Sequence, residues 1–212
     1  MRAVIFDFGG VFIDSPFAAL EAAARERGVD PEVLSTAVFG DYERDTDHPW
    51  HRLERGETSL EVAREEIMEL ASLPDGSAVD PFELLGALAG GGVRSEMVDF
   101  CTSIRGRGIA TGLLTNNAKE FEEFWQPLIP LEELFDDVVD SSAVGLRKPA
   151  REIYLLALDR LGVDAAETVF VDDAPGNVRG AEAVGIASVL VAHERSSLGA
   201  AIERIEELLR PR

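Results

Sequence analysis

The distribution of apolar and polar positions begins with a strand-like run. Residues 3–8 are apolar except for one carboxylate, Asp7, and two glycines follow them. An apolar run of this length before a glycine turn predicts a buried strand of a parallel sheet. Asp7 stands at the carboxyl end of that strand, where ligands bind in open α/β sheets. Because a buried carboxylate needs a cation or a chemical role, Asp7 is the first candidate for a functional residue.

The stretch from residue 95 onward alternates between helical periodicity and short apolar runs. Four further strands are predicted at 109–115, 138–141, 168–173 and 188–191. Helical patterns lie between them, notably at 152–161 and 178–184, and each ends at a glycine. Such alternation is typical of right-handed βαβ units. The pattern therefore predicts an α/β, Rossmann-like parallel sheet with helices on both faces.

Residues 15–92, which lie between these two regions, have a helical pattern and no convincing strand. Residues 58–61 have the spacing of a capping box before an amphipathic helix. The glycines at 90–92 predict a hinge or linker. We therefore expect one α/β core made of residues 1–14 and 93–212, with an inserted helical subdomain at residues 15–92.

Composition excludes several classes of partner. The 212 residues are 46% hydrophobic and 28% charged, as in ordinary soluble proteins, and the formal net charge is −20. Binding to nucleic acid or to an anionic membrane needs basic patches, so neither partner is expected. The single cysteine, Cys101, rules out an internal disulfide, and its position on an apolar helical face predicts core packing.

The chain shows no targeting signal and no membrane span. Asp7 interrupts the first apolar run, and no uninterrupted apolar stretch approaches the ~20 residues that a transmembrane helix needs. A cytoplasmic location is therefore expected, with the oligomeric state open between monomer and homodimer.

Polar residues at the ends of predicted strands carry the candidate chemistry. Besides Asp7 they form three groups, namely Thr115-Asn116-Asn117, Arg147-Lys148-Pro149 and Asp172-Asp173 with Asn177 nearby. Asn117 and Glu120 have capping-box spacing, which predicts a helix N-terminus that could bind an anion beside Thr115.

Three carboxylates at one sheet edge repel one another unless a cation is present. Mg²⁺ prefers a few carboxylate oxygens together with a phosphate oxygen, so Asp7, Asp172 and Asp173 predict a magnesium site. Lys148, one of only two lysines in the chain, would place a point charge beside the metal. That combination suits a phosphoryl group and its nucleophile.

These residues resemble the four motifs of the haloacid dehalogenase superfamily of phosphohydrolases. The resemblance covers essentially the whole chain and rests on Phe-Asp-Phe-Gly-Gly-Val, Leu-Thr-Asn, Leu-Arg-Lys-Pro and Val-Asp-Asp, which are specific only in combination. Within the superfamily the chain looks most like the bacterial glucose-1-phosphate phosphatases and the N-terminal phosphatase domain of soluble epoxide hydrolases. The insertion resembles the helical cap that closes over the site in that family, and it is called the cap below.

The resemblance implies a role for each site residue. Asp7 would attack phosphorus and form an aspartyl-phosphate, while Lys148 would neutralise charge on the nucleophile and the phosphate. Thr115 and Asn116 would hold phosphate oxygens of a small-molecule phosphate ester. The Mg²⁺ ligands would be Asp7, the carbonyl of Gly9, Asp173 and, directly or through water, Asp172. Asn177 would orient the Asp172-Asp173 loop.

One position departs from the pattern of most phosphatases in the superfamily. The aspartate that protonates the leaving group two residues after the nucleophile is replaced by Gly9. General acid–base help is worth ~10²–10⁴ in rate, so we expect slow turnover unless another group serves or the leaving group is good. Anomeric sugar phosphates and acyl phosphates would suffer least.

Four residues in one polar and aromatic patch of the cap could contribute to the site. His48 and His51 could supply the missing proton, although packing or surface positions fit them too. Trp50 and Arg52 are candidates to line the substrate pocket. His193, just beyond the last predicted strand, has no visible partner, and the pattern assigns it no role.

Other functions remain open at this point. Phosphonate hydrolysis in the superfamily uses a cap lysine, and residues 15–92 contain none. Haloacid dehalogenation uses the aspartate without a metal and has a less acidic last motif, so Asp172-Asp173 favours the phosphatase. A phosphate-binding or regulatory protein that lost turnover through Gly9 is the alternative from another class. The physiological substrate cannot be named from the pattern.

Overall fold

A five-stranded parallel sheet forms the centre of the protein, as the alternating pattern predicts. The computed structural model describes residues 1–71, Asp80 and 92–210. The strands are β1 Ala3–Phe6, β2 Ala110–Thr115, β3 Asp137–Asp140, β4 Thr168–Asp172 and β5 Ala187–Leu190. Their order in the sheet is β3-β2-β1-β4-β5, and every pair is parallel. The α/β, Rossmann-like fold class is confirmed, and the strand bounds differ from prediction by at most two residues.

The first strand lies in the middle of the sheet because it is apolar on both faces. All four residues of β1 are buried, and Phe6 pairs in register with Leu113 on one side and Val171 on the other. The predicted strand at 3–8 ends at Phe6, although the N–H of Asp7 still donates to the carbonyl of Val171 at 2.8 Å. The carboxyl ends of β2 and β4 therefore flank Asp7.

Helices cover both faces of the sheet. The α-helices of the core are Ser95–Gly106, Glu122–Trp125, Leu131–Leu134, Ser141–Val144, Arg151–Leu161, Pro175–Ala183 and Leu198–Leu209. One hydrophobic cluster joins Phe6 and Phe12 to the first and last of these helices. A second cluster packs Ile5 and Phe170 against Tyr154 on the other face. Cys101 is buried in the first cluster, as predicted.

The described part of the cap is helical. Its helices are Pro16–Glu26, Pro31–Phe39, Pro49–Glu54 and Leu60–Leu70, and the first three begin with proline, which is pre-organised for the first helical position. They share a hydrophobic cluster of their own, which includes Leu34, Leu53 and Ile67. The division into a core of residues 1–14 and 93–212 and a cap of residues 15–92 stays a prediction. Of the predicted glycine linker at 90–92, only Gly92 lies within the described residues.

Two helix starts differ from prediction. The N-cap of Leu60–Leu70 is Ser59, whose hydroxyl accepts from the N–H of Val62, so Thr58 does not cap the helix. The helix predicted to begin at Asn117 starts later, because Ala118 is followed by the 3₁₀ turn Lys119–Phe121 and only then by the short α-helix Glu122–Trp125. Glu120, the predicted capping partner, instead accepts from the backbone N–H of Leu60 at 3.0 Å, so its carboxylate caps a helix of the cap.

None of the helices that the structure describes has the length and apolar composition needed to cross a bilayer.

Candidate active site

The ammonium group of Lys148 lies at the centre of the site. Its side chain is 1% exposed, and Nζ donates to Asp7 Oδ1 at 2.6 Å, to Asp172 Oδ2 at 2.7 Å and to the carbonyl of Leu114 at 2.7 Å. These three acceptors match the three N–H donors of an ammonium. They come from the ends of β1, β4 and β2, so Lys148 joins three neighbouring strands.

Asn116 holds the backbone of Lys148 in place. Its side-chain Oδ1 accepts from the N–H of Lys148 at 2.8 Å, and its Nδ2 donates to the carbonyl of Lys148 at 3.0 Å. Both ends of the amide are therefore engaged with the lysine. The predicted contact of Asn116 with phosphate would have to come from its backbone N–H, because its side chain serves Lys148. Sequence reasoning missed this positioning role.

The carboxylate of Asp172 is fixed by several donors. Besides Lys148, the side-chain Nδ2 of Asn177 lies 3.1 Å from each of its oxygens, and the N–H of Ala174 donates to Oδ1 at 2.8 Å. Asn177 is 3% exposed and lies in the first turn of the helix Pro175–Ala183, which follows β4. Its hydrogen bonds help to fix the carboxylate of Asp172, and the orientation of the whole Asp172-Asp173 loop by Asn177 stays a prediction.

Asp173 faces the beginning of the cap rather than Lys148. The hydroxyl of Ser15 donates to Asp173 Oδ2 at 2.5 Å, and Nε2 of His193 lies 3.7 Å from the same oxygen. Gly10 has φ of +71°, and a Cβ built there would lie 2.0 Å from Asp173 Oδ2. Only glycine permits this approach of the first loop to Asp173.

The three aspartates form a cluster with more negative charge than Lys148 can balance. Each offers an oxygen, and these oxygens all lie within 4.8 Å of one another. Burial raises the pKa of Asp7 from its ordinary 3.8 to about 7, with Lys148 opposing the rise and Asp172 adding to it. Burial, followed by the charges of Asp172 and Asp7, also raises the pKa of Asp173 well above its usual range. An additional cation would relieve this cost.

The donor set suits a hard divalent ion. Carboxylate oxygens are the ligands that Mg²⁺ prefers, and with all three carboxyl groups ionised the cluster has three negative charges against the one positive charge of Lys148. Two uncompensated charges match a dication. The residues of the site therefore fit magnesium in charge and in ligand type.

Thr115 and Gly9 lie beside this cluster. Thr115 is 2% exposed and ends β2, the strand next to β1, at the same edge of the sheet. A Cβ built on Gly9 would lie 3.5 Å from Cδ of Pro16 and 3.9 Å from Asp7 Oδ2, which are ordinary van der Waals distances. A Cβ at position 9 would therefore lie near Asp7 and Pro16 without a clash.

The four cap candidates lie within the cap and away from the aspartates. Trp50 is 7% exposed and its Nε1 donates to Glu54 Oε1 at 2.7 Å. Arg52 forms an ion pair with Glu66. Neither lines the cavity that reaches Asp173, so their substrate-binding role stays a prediction without support from this arrangement.

The two cap histidines are engaged locally. His51 is fully buried, and its Nδ1 lies 2.9 Å from the hydroxyl of Thr46. Burial, and then the charge of Arg147, lowers the pKa of His51 to about 3, so its imidazole is neutral at physiological pH. His48 caps the helix Pro49–Glu54 by accepting from the N–H of Trp50. Both histidines contact neighbouring cap residues, and a role for either as proton donor stays a prediction without support from this arrangement.

A cleft of about 490 Å³ opens between the cap and Asp173. Its lining includes Phe17 and Tyr42 of the cap and His193 and Gly176 of the core. The rings of Phe17 and His193 stack with centroids 6.2 Å apart and planes 14° apart. His193 is the residue that sequence reasoning missed, and the signal that could have found it is its place just after β5 at the active edge of the sheet.

Comparison with known protein families gives one match that spans most of the chain. The model of the haloacid dehalogenase-like hydrolases, described as hydrolases, matches residues 1–185. The matched stretch contains all of the motifs at the strand ends, from Asp7 to Asn177.

Curated relatives include phosphatases and larger multidomain enzymes. The chain is 33% identical over 98% of its length to acyl-CoA dehydrogenase family member 10 of Mus musculus, of which it spans 19%. It is 27% identical to a sesquiterpene phosphatase of Aspergillus oryzae, covering 95% of this chain and 94% of that protein. It is also 29% identical over 60% of its length to bifunctional epoxide hydrolase 2 of Rattus norvegicus, of which it spans 24%.

Solved structures with the same fold cover nearly the whole chain. A predicted hydrolase of this family from Porphyromonas gingivalis superposes with a TM-score of 0.66 at 26% identity, covering 100% of this chain and 99% of that one. A family enzyme from Bacteroides thetaiotaomicron, in complex with magnesium and inorganic phosphate, gives a TM-score of 0.61 at 19% identity. That match covers 90% of this chain and 93% of that one, and it indicates the fold alone.

Proposed function

The chain belongs to the haloacid dehalogenase-like hydrolase family, and from that premise we propose that it is a Mg²⁺-dependent phosphohydrolase of small phosphate esters. The reaction would pass through an aspartyl-phosphate on Asp7. The observation that carries this proposal is the buried ammonium of Lys148 between Asp7 and Asp172, within a cluster of three carboxylates whose oxygens lie close enough to bind one metal ion. Phosphatases among its relatives support the same reaction class.

The first half of the reaction is a displacement at phosphorus. A carboxylate oxygen of Asp7 forms a bond to phosphorus while the bond to the leaving oxygen breaks. The leaving oxygen departs with its negative charge and takes a proton from solvent water, because Gly9 has no acid to donate one. Lys148 holds the Asp7 carboxylate in place through its 2.6 Å hydrogen bond and offsets the charge that gathers on the phosphoryl oxygens. Thr115, at the neighbouring strand end, is the candidate to donate a hydrogen bond to one of those oxygens.

The second half releases phosphate from the enzyme. Water attacks the phosphorus of the aspartyl-phosphate, the bond between phosphorus and Asp7 breaks, and inorganic phosphate leaves. The proton from water needs an acceptor, and Gly9 cannot provide one. Turnover is therefore limited by proton transfer, and substrates with good leaving groups are favoured, as for anomeric sugar phosphates or acyl phosphates.

Magnesium would be held by Asp7, the carbonyl of Gly9 and Asp173, with Asp172 as a direct or water-mediated ligand. When bound, it neutralises the carboxylates and polarises the phosphoryl group. Asp172 already accepts from Lys148, Asn177 and Ala174, which favours a water-mediated contact for that residue. The acid cluster supports the ligand set, and the magnesium and phosphate complex of the Bacteroides enzyme supports the choice of ion.

Gly9 itself favours one alternative, a phosphate-binding or regulatory protein without turnover. Dehalogenation is disfavoured, because it needs no metal and the pair Asp172-Asp173 is more acidic than that reaction requires. We keep the phosphohydrolase as the conclusion, since loss of function has no reason to preserve the contacts of Lys148 with Asp7 and Asp172 and the third carboxylate, Asp173, beside them. Under this proposal the protein hydrolyses a small phosphate ester in the cytoplasm and functions as a monomer or homodimer.

A broad screen of phosphate esters with and without Mg²⁺ tests the proposal. We expect hydrolysis that a chelator stops and that Asp7→Asn abolishes, because an amide at that position cannot attack phosphorus. The wild-type protein without Mg²⁺ and the Asp7→Asn variant with Mg²⁺ are the controls. Absence of hydrolysis with every ester, together with intact binding of inorganic phosphate, would favour the binding protein. Dehalogenation that survives the chelator would favour the dehalogenase.

A further inference from the structure

Arg147 precedes Lys148 in the chain, but its side chain enters the cap instead of the aspartate cluster. The guanidinium is fully buried, and its Nε donates to Glu54 Oε2 at 2.7 Å. Nη1 lies 3.4 Å from the carbonyl of Arg44, and the guanidinium carbon lies 5.0 Å from the ring centroid of Tyr42. All three contacts are with residues of the cap.

The carboxylate of Glu54 is as deeply buried as its partner, with 2% of its side chain exposed. Two further donors, Nε1 of Trp50 at 2.7 Å and the hydroxyl of Tyr42, share its Oε1. A charge pair of this kind is costly to separate, since each buried charge would lose its compensation. This buried network therefore favours the position of the cap seen here, in which the cap is packed against the core. Its members are Arg147, Glu54, Trp50 and Tyr42.

The cap lies on the core without a gap beside this network. A Cβ built on Gly176, in the first turn of the helix Pro175–Ala183, would lie 2.2 Å from the carbonyl oxygen of Tyr42. Tyr42 is thus in contact with Gly176 on one side and with the Arg147 guanidinium on another. Movement of the cap would change both contacts together.

We propose that Arg147 is a positioning residue that couples the seating of the cap to the placement of Lys148, with Glu54 as its partner. This inference rests on the proposed phosphohydrolase function. The loop around Lys148 is fixed by the amide of Asn116 at Lys148 itself and by cap contacts at the residue before it. Glu54 makes the shortest of these cap contacts at 2.7 Å, whereas Nη1 of Arg147 lies 3.4 Å from the carbonyl of Arg44 and 3.5 Å from Asp45 Oδ1. Loss of the Glu54 contact removes the main support on the cap side, so the Lys148 ammonium no longer stays aligned with Asp7 and Asp172.

A second ion pair between cap and core provides a matched control. Arg179, on the helix Pro175–Ala183, pairs with Glu43 of the cap, and the two side chains are 57% and 50% exposed. Exposed pairs contribute little, and Arg179 has no contact with the Lys148 loop among those that the structure describes. Arg179→Gln therefore removes a cap contact without disturbing the lysine.

The test compares Glu54→Gln, Arg147→Lys and Arg179→Gln for hydrolysis of the best ester from the screen, with Mg²⁺ and well below each melting temperature. We expect Glu54→Gln to lower kcat by ~10–100-fold with a smaller change in KM, because misplacement of a catalytic group by about 1 Å can cost 10²-fold. Arg147→Lys keeps the positive charge and should retain more of kcat. Arg179→Gln should stay within about twofold of wild type. Equal kcat values for Glu54→Gln and Arg179→Gln, or a loss confined to KM, would overturn the proposal.

A crystal structure of Glu54→Gln separates this inference from the proposed function. If the wild-type protein hydrolyses no ester, the phosphohydrolase is wrong, and the position of Lys148 still decides the coupling. Displacement of Nζ beyond hydrogen-bond distance from Asp7 or Asp172 supports the positioning role, and an unchanged Nζ with the cap shifted overturns it. Should Glu54→Gln fail to fold, the same two readouts on Arg147→Lys decide. A kcat below that of wild type with Nζ displaced supports the proposal, and a wild-type kcat with Nζ undisplaced overturns it.

Discussion

The active edge of the core and the interior of the cap both bury charge, but they balance it differently. In the core, three clustered carboxylates share one ammonium, which contacts Asp7 and Asp172, and burial raises the pKa of Asp7 and Asp173. In the cap, Glu54 faces Arg147 and receives two further hydrogen bonds, so its charge is matched. A matched network stabilises one arrangement, whereas an unmatched cluster creates a site for something that is positive. The core therefore holds the reactive groups, and the network in the cap holds the cap in one position on the core.

Removing one carboxylate from the unmatched cluster should produce the largest effect. Asp173→Asn removes a magnesium ligand, and we expect kcat/KM to fall by ~10³-fold or more, since a metal supplies several kcal/mol of charge stabilisation. The same change relieves repulsion in the metal-free protein, so its melting temperature should rise or stay level. Activity and thermal melting of the same sample check both expectations. A fall in metal-free stability would show that the cluster is balanced without a metal.

The pH dependence of stability tests the same imbalance. A carboxyl group whose pKa is higher in the folded than in the unfolded state stabilises the protein at low pH, and this contribution is lost as the pH rises through the folded value. For Asp7 the window runs from about 4 to about 7. The free energy of unfolding of the metal-free protein should therefore lose about 2–4 kcal/mol through Asp7 between pH 5 and pH 8, and the raised pKa of Asp173 acts in the same direction.

Saturating Mg²⁺ should remove most of that loss, because the ion favours the charged carboxylates. Denaturant unfolding at pH 5 and pH 8, with and without Mg²⁺, measures the difference, and Asp173→Asn serves as the variant with a reduced cluster. If Mg²⁺ leaves the pH dependence unchanged, the aspartates do not share an ion.

Placing a carboxylate at position 9 tests whether a residue of the cap already supplies the proton for the leaving group. The Cβ of a residue at position 9 would meet nothing closer than 3.5 Å, so Gly9→Asp is sterically acceptable at that atom. We expect kcat to rise by ~10–10²-fold for esters with poor leaving groups and to change little for acyl phosphates. Gly9→Asn is the matched control, because it adds the same volume without an acid. An equal rate for both variants would mean that a group elsewhere already donates the proton.

Much of the fold and of the candidate site could be predicted, because both depend on short local patterns. The apolar runs predict strands, and parallel strands align their carboxyl ends at one edge, so Asp7, Thr115 and Asp172 had to end near one another once the fold class was assigned. The prediction of a helix at Asn117 failed for a local reason. The side chain of Asn117 accepts from the N–H of Ala118 at 2.9 Å. The carboxylate of Glu120 accepts from the N–H of Leu60 in the cap and so does not cap its own helix.

The sequence by itself determined the α/β class, the strands and the residue types that gather at their ends, because periodicity and glycine turns are encoded over a few neighbouring residues. Only the tertiary structure decided which side chains meet across long separations. Ser15 and His193 lie close to Asp173 although both are distant from it in the chain. Arg147 and Lys148 are adjacent in the chain, yet Arg147 contacts Glu54 in the cap and Lys148 contacts Asp7 in the core. Such contacts depend on how the cap packs on the sheet, and no spacing along the sequence records that packing.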